Sequence, residues 1–488
     1  MENNIIIGID QSTSGTKALA FSANGEILGR YDLPHRQIID ENGWISHDPM
    51  EIYRNTLASV IGVLEKTGIA RERVAGIGLS NQRETAVVWN QKSGLPVCDA
   101  IIWQCARGAS ICQKIDTPET RRQIKSVSGL PLSPYFAAAK FAWAVENVPI
   151  PDRKNLCCGT VDSWLVFKLT GEFWTDYSNA SRTQLLDLHT LRWSDSLCAC
   201  FGLDPAWLPK LTDSNGFFGE TDLEGYFPKP VPIHGVLGDS HGALYGQGCL
   251  TPGSIKATYG TGSSVMMNVG SHLVSSEDIV TSLAWCIDGK AQYVLEGNIN
   301  YSAAVIKWLE EDLQLISSAK EVEALAKSAR NMDGMYLVPA FSGLGAPYWK
   351  DQAKAMICGM TRNCGKAELV RAAEECIAYQ ITDILSLMQQ AYGEAPKQLR
   401  VDGGPTRDAF LMQFQADVSG VEVVVPQSEE LSGIGAVYAA GLALGVFDES
   451  IRENRPVRAR YLPSMEKKRR DAKYAGWKEA VKLVLQAK

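Results

Sequence analysis

The chain opens with an unbroken apolar run, Ile5-Ile-Ile-Gly-Ile9. A polar Gly/Ser/Thr turn follows, then the alternating run Ala18-Leu-Ala-Phe21, an Asn24-Gly25 turn and Ile27-Leu28. Apolar and alternating runs punctuated by such turns predict a β-meander. The same grammar returns at Ser254-Ile-Lys-Ala-Thr-Tyr259, the turn Gly260-Thr-Gly-Ser263 and Ser264-Val-Met-Met-Asn-Val269. The repetition predicts two halves, residues 1–247 and 248–488, that meet near residues 246–253. Helical spacing appears after each meander. Over Asp48–Leu64, Asp48 suits an N-cap and Pro49 the first turn. From Lys366 to Tyr392, Leu369, Ala372, Ala373, Cys376, Ile377, Gln380, Ile384 and Met388 fall on or near one face. Strands interleaved with helices predict an α/β fold.

Composition narrows the class. With 488 residues, 45% of them hydrophobic, the chain can build two cores of roughly 200 to 250 residues each. The 48 Lys+Arg against 55 Asp+Glu leave a formal charge of -7, the opposite of what a nucleic-acid surface needs. The longest low-charge run, Ile434–Phe447, is shorter than the roughly 18 apolar residues of a membrane span and is broken by glycines. Met1-Glu-Asn-Asn4 carries no basic region before its short apolar run, and Asp10 follows at once. That pattern predicts no secretory signal and a cytoplasmic protein. Twelve cysteines are scattered without a CxxC pair or a His at zinc spacing, which predicts buried thiols, no disulfide framework and no structural metal.

Five segments carry candidate chemistry. In Asp10-Gln-Ser-Thr-Ser-Gly-Thr-Lys17, small residues let backbone N–H groups converge on an anion, the hydroxyls add donors and Lys17 adds charge. Asp10 at a strand end is placed to hold Mg²⁺ directly or through water. No GxxxxGK[ST] loop occurs, and a strand rather than a helix follows. Taken alone the segment reads first as an ordinary hairpin with a polar turn. The turn Tyr259-Gly-Thr-Gly-Ser263 occupies the equivalent place in the second half, so two facing turns can grip a triphosphate. Arg400-Val-Asp-Gly-Gly404 runs into paired glycines before the helical Asp408–Gln415, and such glycines let a flat base or ribose approach the backbone. In Gly238-Asp-Ser-His-Gly242, Asp239 ends an apolar run and can accept the proton of an attacking hydroxyl, with His241 a rival base. Finally, Arg83 and Glu84 within Ser80–Thr85 offer donors and acceptors to hydroxyls, while Trp103 and Tyr135 can cover the C–H face of a polyol.

Together these segments resemble the FGGY carbohydrate kinases, and within that family most closely the branch that phosphorylates glycerol. The resemblance runs from Gly8-Ile-Asp-Gln11 to Gly441-Leu-Ala-Leu-Gly445. It is most specific at Gly43-Trp-Ile-Ser-His-Asp-Pro-Met-Glu51, Asn81–Thr85, Ile102–Arg107, Ser133–Phe136 with Lys140 and Trp143, Thr175–Thr183 and Pro339–Trp349. It implies two actin-like, ribonuclease-H-like domains, the first holding polyol and base and the second nucleotide. ATP and Mg²⁺ would sit in the catalytic cleft between them, and the γ-phosphate would pass to a sugar or polyol hydroxyl. It places Mg²⁺ near Asp10 and phosphate contacts at Thr13, Ser14, Lys17 and Thr261. The nucleotide would lie beside Gly404, the base would be Asp239, and the polyol contacts Arg83, Glu84, Trp103 and Tyr135.

Four kinds of departure qualify the resemblance. Where that branch carries Gln after the base and Phe three residues beyond the second phosphate Thr, this chain has Ser240 and Ser264, leaving room for a larger substrate or water. The family's Gly, Gln and Asn nucleotide contacts stand here as Ala303, Lys307 and Asp408. Neither the Gly-rich sugar-bisphosphate loop nor a phosphorylatable His is evident in Thr221–Pro228. The reading is therefore a kinase of a three- to five-carbon polyol or ketose. A pentulose or tetritol kinase is the rival within the class, and a nucleotide-switched actin-like binding protein the rival outside it. A homodimer is the default assembly.

Overall fold

The computed structural model describes residues 4–330, 333–350, 352–453 and 455–487. The first meander is a hydrogen-bonded sheet in the order Ile27–Pro34, Gly15–Phe21, Ile5–Gln11, Val74–Asn81, Val231–Gly238. The first two pairings are antiparallel and the next two parallel. The second sheet repeats this as Lys290–Ile299, Ser263–Gly270, Ile255–Tyr259, Gln398–Asp402, Glu422–Pro426, with the same sequence of antiparallel and parallel pairings. Every residue of Ile5–Gln11 is buried. A strand parallel to one neighbour and covered on both faces needs apolar residues on both sides, hence the unbroken run.

The helices form where their signals lie. Pro49–Thr67 starts after Asp48, whose carboxylate accepts from the Met50 N–H at 2.7 Å. Lys366–Tyr392 spans 27 residues, opened by the Glu368 carboxylate on the Gly365 N–H at 2.8 Å and closed by Gly393 at φ 92°. The low-charge run beyond Ile434 belongs to the helix Leu431–Ala443, nearly all of whose residues are buried. This helix follows the last parallel strand of the second sheet, yet it packs on the first sheet and on the helix Asp239–Gly246. The approach is close enough that a Cβ on Gly435 would stand 1.9 Å from the Gly242 carbonyl oxygen. Ile6, Leu19 and Leu237 of the first half, Met266 and Val294 of the second, and Leu431 and Val437 of this helix share one apolar cluster. All twelve cysteines are free thiols, most of them buried. Among the described residues no helix is long and apolar enough to cross a membrane.

Candidate active site

The parallel strands of each half end at one cleft. Asp10 lies within the first strand and Lys17 within the second, so the polar turn proper is Ser12–Ser14. Lys17 Nζ sits 3.4 Å from Asp10 Oδ2 and 3.1 Å from Glu430 Oε2. Burial raises the Asp10 carboxyl above the ordinary aspartate range, and the charges of Asp239 and Glu430 add to the rise while Lys17 opposes it. Burial works against the Lys17 ammonium, but Asp10 and Glu430 together hold it above its usual value. Thr13 Oγ1 accepts from Trp103 Nε1 at 2.9 Å, which ties the Ser12–Ser14 turn to the aromatic pair Trp103 and Tyr135. Ser14 is exposed and only 3.4 Å from the Ser12 hydroxyl.

Asp239 is the first residue of the helix Asp239–Gly246, directly after the strand Val231–Gly238. A carboxylate suits that position because the helix N-terminus carries partial positive charge. Its Oδ1 accepts from the Ser240 N–H at 2.6 Å and lies 3.2 Å from Arg83 Nε, while 36% of the side chain remains open to the cleft. His241, the rival base, is fully buried, and burial followed by the Arg83 charge keeps its imidazole neutral. A ring that cannot meet the cleft does not serve as its base.

The wall formed by Glu84, Trp103 and Tyr135 is built from backbone strain and buried charge. Glu84 holds φ 58°, a left-handed conformation that a non-glycine residue keeps only when its surroundings insist. Here they do. Its carboxylate accepts from Arg182 Nε at 2.5 Å, and its carbonyl accepts from Lys140 Nζ at 3.3 Å. The same ammonium donates to the carbonyls of Tyr135 and Phe136. Burial brings Lys140 down to about 7. The Tyr135 and Trp103 rings meet edge to face, centroids 5.8 Å apart.

Arg83 does not wait alone for a substrate. Its Nη1 and Nη2 donate to the two oxygens of Glu296 at 2.9 and 2.8 Å, and Arg182 Nη1 lies 2.9 Å from the same carboxylate. Glu296 belongs to the strand Lys290–Ile299 of the second half, so the triad bridges the two halves with all three side chains 5% exposed or less. Burial opposes the Glu296 charge, but Arg182 and Arg83 hold its carboxyl well below the usual range. Ser264 Oγ donates to Glu296 Oε1 at 3.3 Å, so the serine hydroxyl is already engaged.

On the other side of the cleft, Thr261 is exposed at its turn. The turn leans on the start of the helix Ala303–Glu311, where the Ser302 and Ala304 N–H groups donate to the Thr261 carbonyl. Gly403 has φ 95°, and a Cβ there would lie 1.9 Å from the Tyr259 carbonyl oxygen; Gly404 beside it faces open space. The two glycines thus do different things: one permits close packing of the turn and the other leaves a surface free. Asp408 caps the helix Ala409–Ser419 by accepting from the Leu411 N–H at 3.1 Å. Ala303 opens its helix, whereas Lys307 is exposed and 3.5 Å from Glu311.

The structure brings Asp10, Thr13, Lys17, Arg83, Glu84, Trp103, Tyr135, Asp239 and Ser264 into one linked network. Asp408 is engaged as a cap, and Lys307 points to solvent beside its helical neighbour. Sequence reasoning missed Glu296, Arg182 and Glu430. A charged residue inside the apolar run Tyr293-Val-Leu-Glu296 was the available signal, since a buried carboxylate needs a partner. Glu430 gave none, its partner Lys17 being 413 residues away.

Comparison with known proteins places this geometry. The family model of the N-terminal domain of the FGGY carbohydrate kinases matches residues 5–246 and that of the C-terminal domain residues 255–444. Glycerol kinase 1 of Thermotoga maritima is 47% identical over 489 residues, covering 98% of this chain and 99% of its own. The crystal structure of Plasmodium falciparum glycerol kinase with ADP superposes with a TM-score of 0.93 at 31% identity, covering 100% of this chain and 99% of that one. A ligand-bound xylulose kinase from Lactobacillus acidophilus, 21% identical with a TM-score of 0.88 and covering 98% and 97%, shares the fold. Matched in both domains and along its length, the chain belongs to the FGGY family of carbohydrate kinases.

Proposed function

We propose that this kinase transfers the γ-phosphate of ATP to a terminal hydroxyl of a small polyol, glycerol foremost, with Asp239 as the base. The phosphotransferase class and the glycerol-kinase-like activity follow from full-length relatives at 40–47% identity. The observation that supports the base is the position of Asp239, open to the cleft and oriented by Arg83 Nε at 3.2 Å. In the step, the hydroxyl O–H yields its proton to a carboxylate oxygen of Asp239. The oxygen bonds to the γ-phosphorus, the bond to the β-γ bridging oxygen breaks, and ADP leaves. Arg83 and Glu84 orient the polyol hydroxyls, and Trp103 with Tyr135 covers its carbon chain. Thr13, Ser14, Lys17 and Thr261 hold the phosphates, and Gly404 meets the nucleotide.

The donor set fits Mg²⁺. Burial, with the charges of Asp239 and Glu430 adding to it, raises the Asp10 carboxyl, and this ion takes one or two carboxylates with phosphate oxygens and water rather than a protein cage. Asp10 would hold it, and when bound it neutralises phosphate charge. Residues 1–247 and 248–488 act as two lobes in this reading, with Leu431–Ala443 crossing back to the first.

One observation favours a larger substrate. Ser240 and Ser264 leave the pocket wall short, and Ser264 turns its hydroxyl to Glu296. A coupled ADP-release assay with Mg-ATP against glycerol, dihydroxyacetone, erythritol, threitol, xylulose and ribulose decides by kcat/KM. A glycerol optimum supports the main reading, and a four- or five-carbon optimum with weak glycerol turnover supports a tetritol or pentulose kinase. Absence of polyol-dependent ADP release refutes both.

A further inference from the structure

One sizeable cavity lies away from the residues of the cleft. It has a volume of about 610 Å³ and is lined by Gly25, Gln247, Arg400, Tyr438, Arg455 and Val457 among others. One wall is the Asn24–Ile27 turn of the first half. Another is the strands Glu422–Pro426 and Val457–Tyr461 of the second, and a third is the outer face of the crossing helix Leu431–Ala443. No residue assigned above to polyol, phosphate or nucleotide lines it. Its size lies within the range of small-molecule sites, which are mostly apolar with a few polar anchors.

The anchors here are cationic. Arg400 projects from the strand Gln398–Asp402 and lines the cavity. Its side chain makes no hydrogen bond or ion pair among the described residues. Arg455 Nη1 donates to the Ile451 carbonyl at 2.7 Å, and its guanidinium lies 4.8 Å over the Tyr438 ring. Burial and then the nearby Arg400 charge draw Arg455 below the usual arginine range. Two guanidinium groups brought together in a largely apolar space repel each other, and an anion between them removes that repulsion. The acidic side chain at the rim, Glu26, is exposed and makes no ion pair among the described residues. A second feature marks a hydrogen-bonding position on the same wall. Gln247 is 1% exposed and its Nε2 donates to Asp402, but its Oε1 has no partner among the described residues. That carbonyl is an acceptor held ready for a donor.

We propose that this cavity binds a small organic anion, its phosphate or carboxylate held between Arg400 and Arg455 and its apolar part against Tyr438, Ile434 and Val457. The planar fork of arginine matches both anions in a bidentate manner. Gln247 connects the site to the cleft, since Asp402 ends the strand that runs into Gly403 and Gly404. The inference is independent of which polyol the enzyme phosphorylates.

Isothermal titration of the full chain, with ADP and Mg²⁺ present to occupy the nucleotide site, tests it. The probes are phenyl phosphate, benzoate and the neutral benzyl alcohol, and the tighter of the first two identifies the anion. Saturable one-site binding of an anion and none of benzyl alcohol is expected. Arg400→Gln should weaken the anion at least tenfold, by loss of a charge-assisted contact. The Arg400 side chain has no hydrogen bond or ion pair to lose among the described residues, so this variant should melt close to the wild type. Ile27→Trp, which closes the mouth and leaves both arginines in place, should weaken binding too. Equal affinity in Arg400→Gln, equal affinity for benzyl alcohol, or no saturation by either anion up to about 10 mM overturns the proposal.

Discussion

Glu296→Gln is the most informative single perturbation of the cleft. It removes the one negative charge that two buried guanidiniums share, with exposures of 0% for Glu296, 5% for Arg83 and 1% for Arg182. The amide keeps an acceptor oxygen, but its nitrogen turns a donor toward another donor. Arg182 retains Glu84 at 2.5 Å, whereas Arg83 retains only Asp239 at 3.2 Å, so most of the cost falls on Arg83. Breaking a buried pair by altering one partner costs about 3–5 kcal/mol. The retained acceptor and the surviving pairs place this variant near the lower end, about 3 kcal/mol. Arg83, proposed above to orient the polyol, is misplaced at the same time, which should lower kcat/KM for the polyol about 10- to 100-fold. The KM for ATP should change little, because none of the residues proposed for phosphate or nucleotide is bonded to the triad among the described residues. Urea unfolding followed by tryptophan fluorescence gives the first quantity and the coupled ADP assay the second. An unfolding free energy within about 1 kcal/mol of wild type, together with an unchanged kcat/KM, would refute the assignment of Glu296 as the residue that positions Arg83.

Three further outcomes follow from the same geometry. Asp239→Asn should lose most turnover, at least about 100-fold in kcat, with ATP binding by titration near normal; wild-type turnover removes Asp239 as the base. Lys140→Met leaves the carbonyls of Glu84, Tyr135 and Phe136 without their shared donor, so KM for the polyol should rise several-fold. Lys140 sits at about 7 when folded against 10.5 when free. Between those values the unfolded chain binds the extra proton, and this group makes stability rise with pH; the Met variant should lack that component, up to about 1.4 kcal/mol per pH unit. Glu374→Gln should stabilise the fold. Burial, with Asp408 beside it, moves the Glu374 carboxyl to about 10 against 4.5 when free. The folded chain therefore holds a proton that the unfolded chain has lost, and wild-type stability falls as pH rises through that window. The variant should be more stable by up to about 3 kcal/mol at pH 7 and by nothing below pH 4.5; an equal gain at both pH values would contradict the protonated carboxyl.

Much of this molecule is local and was legible as sequence. The run Ile5–Ile9 is a strand because both its faces are covered. The Asp48-Pro49 start and the Lys366–Tyr392 stripe are helices because caps and spacing act within a few residues. Asp10, Asp239 and the paired glycines stand at strand ends, where the chain must turn, so their placement was readable too. Tertiary structure decided which residues meet. The second strand begins at Gly15 rather than Ala18, because Lys17 is accommodated there by Asp10 and by Glu430, a partner no local pattern announces. The apolar run after Ile434 is apolar all round because it lies between the two halves. Glu296 is a core charge only because Arg83 and Arg182 arrive from the other half to pay for its burial. Periodicity reports how a segment is buried, since that depends on the segment itself. Pairing of buried charges depends on residues hundreds of positions away, and only the assembled fold brings them within 3 Å.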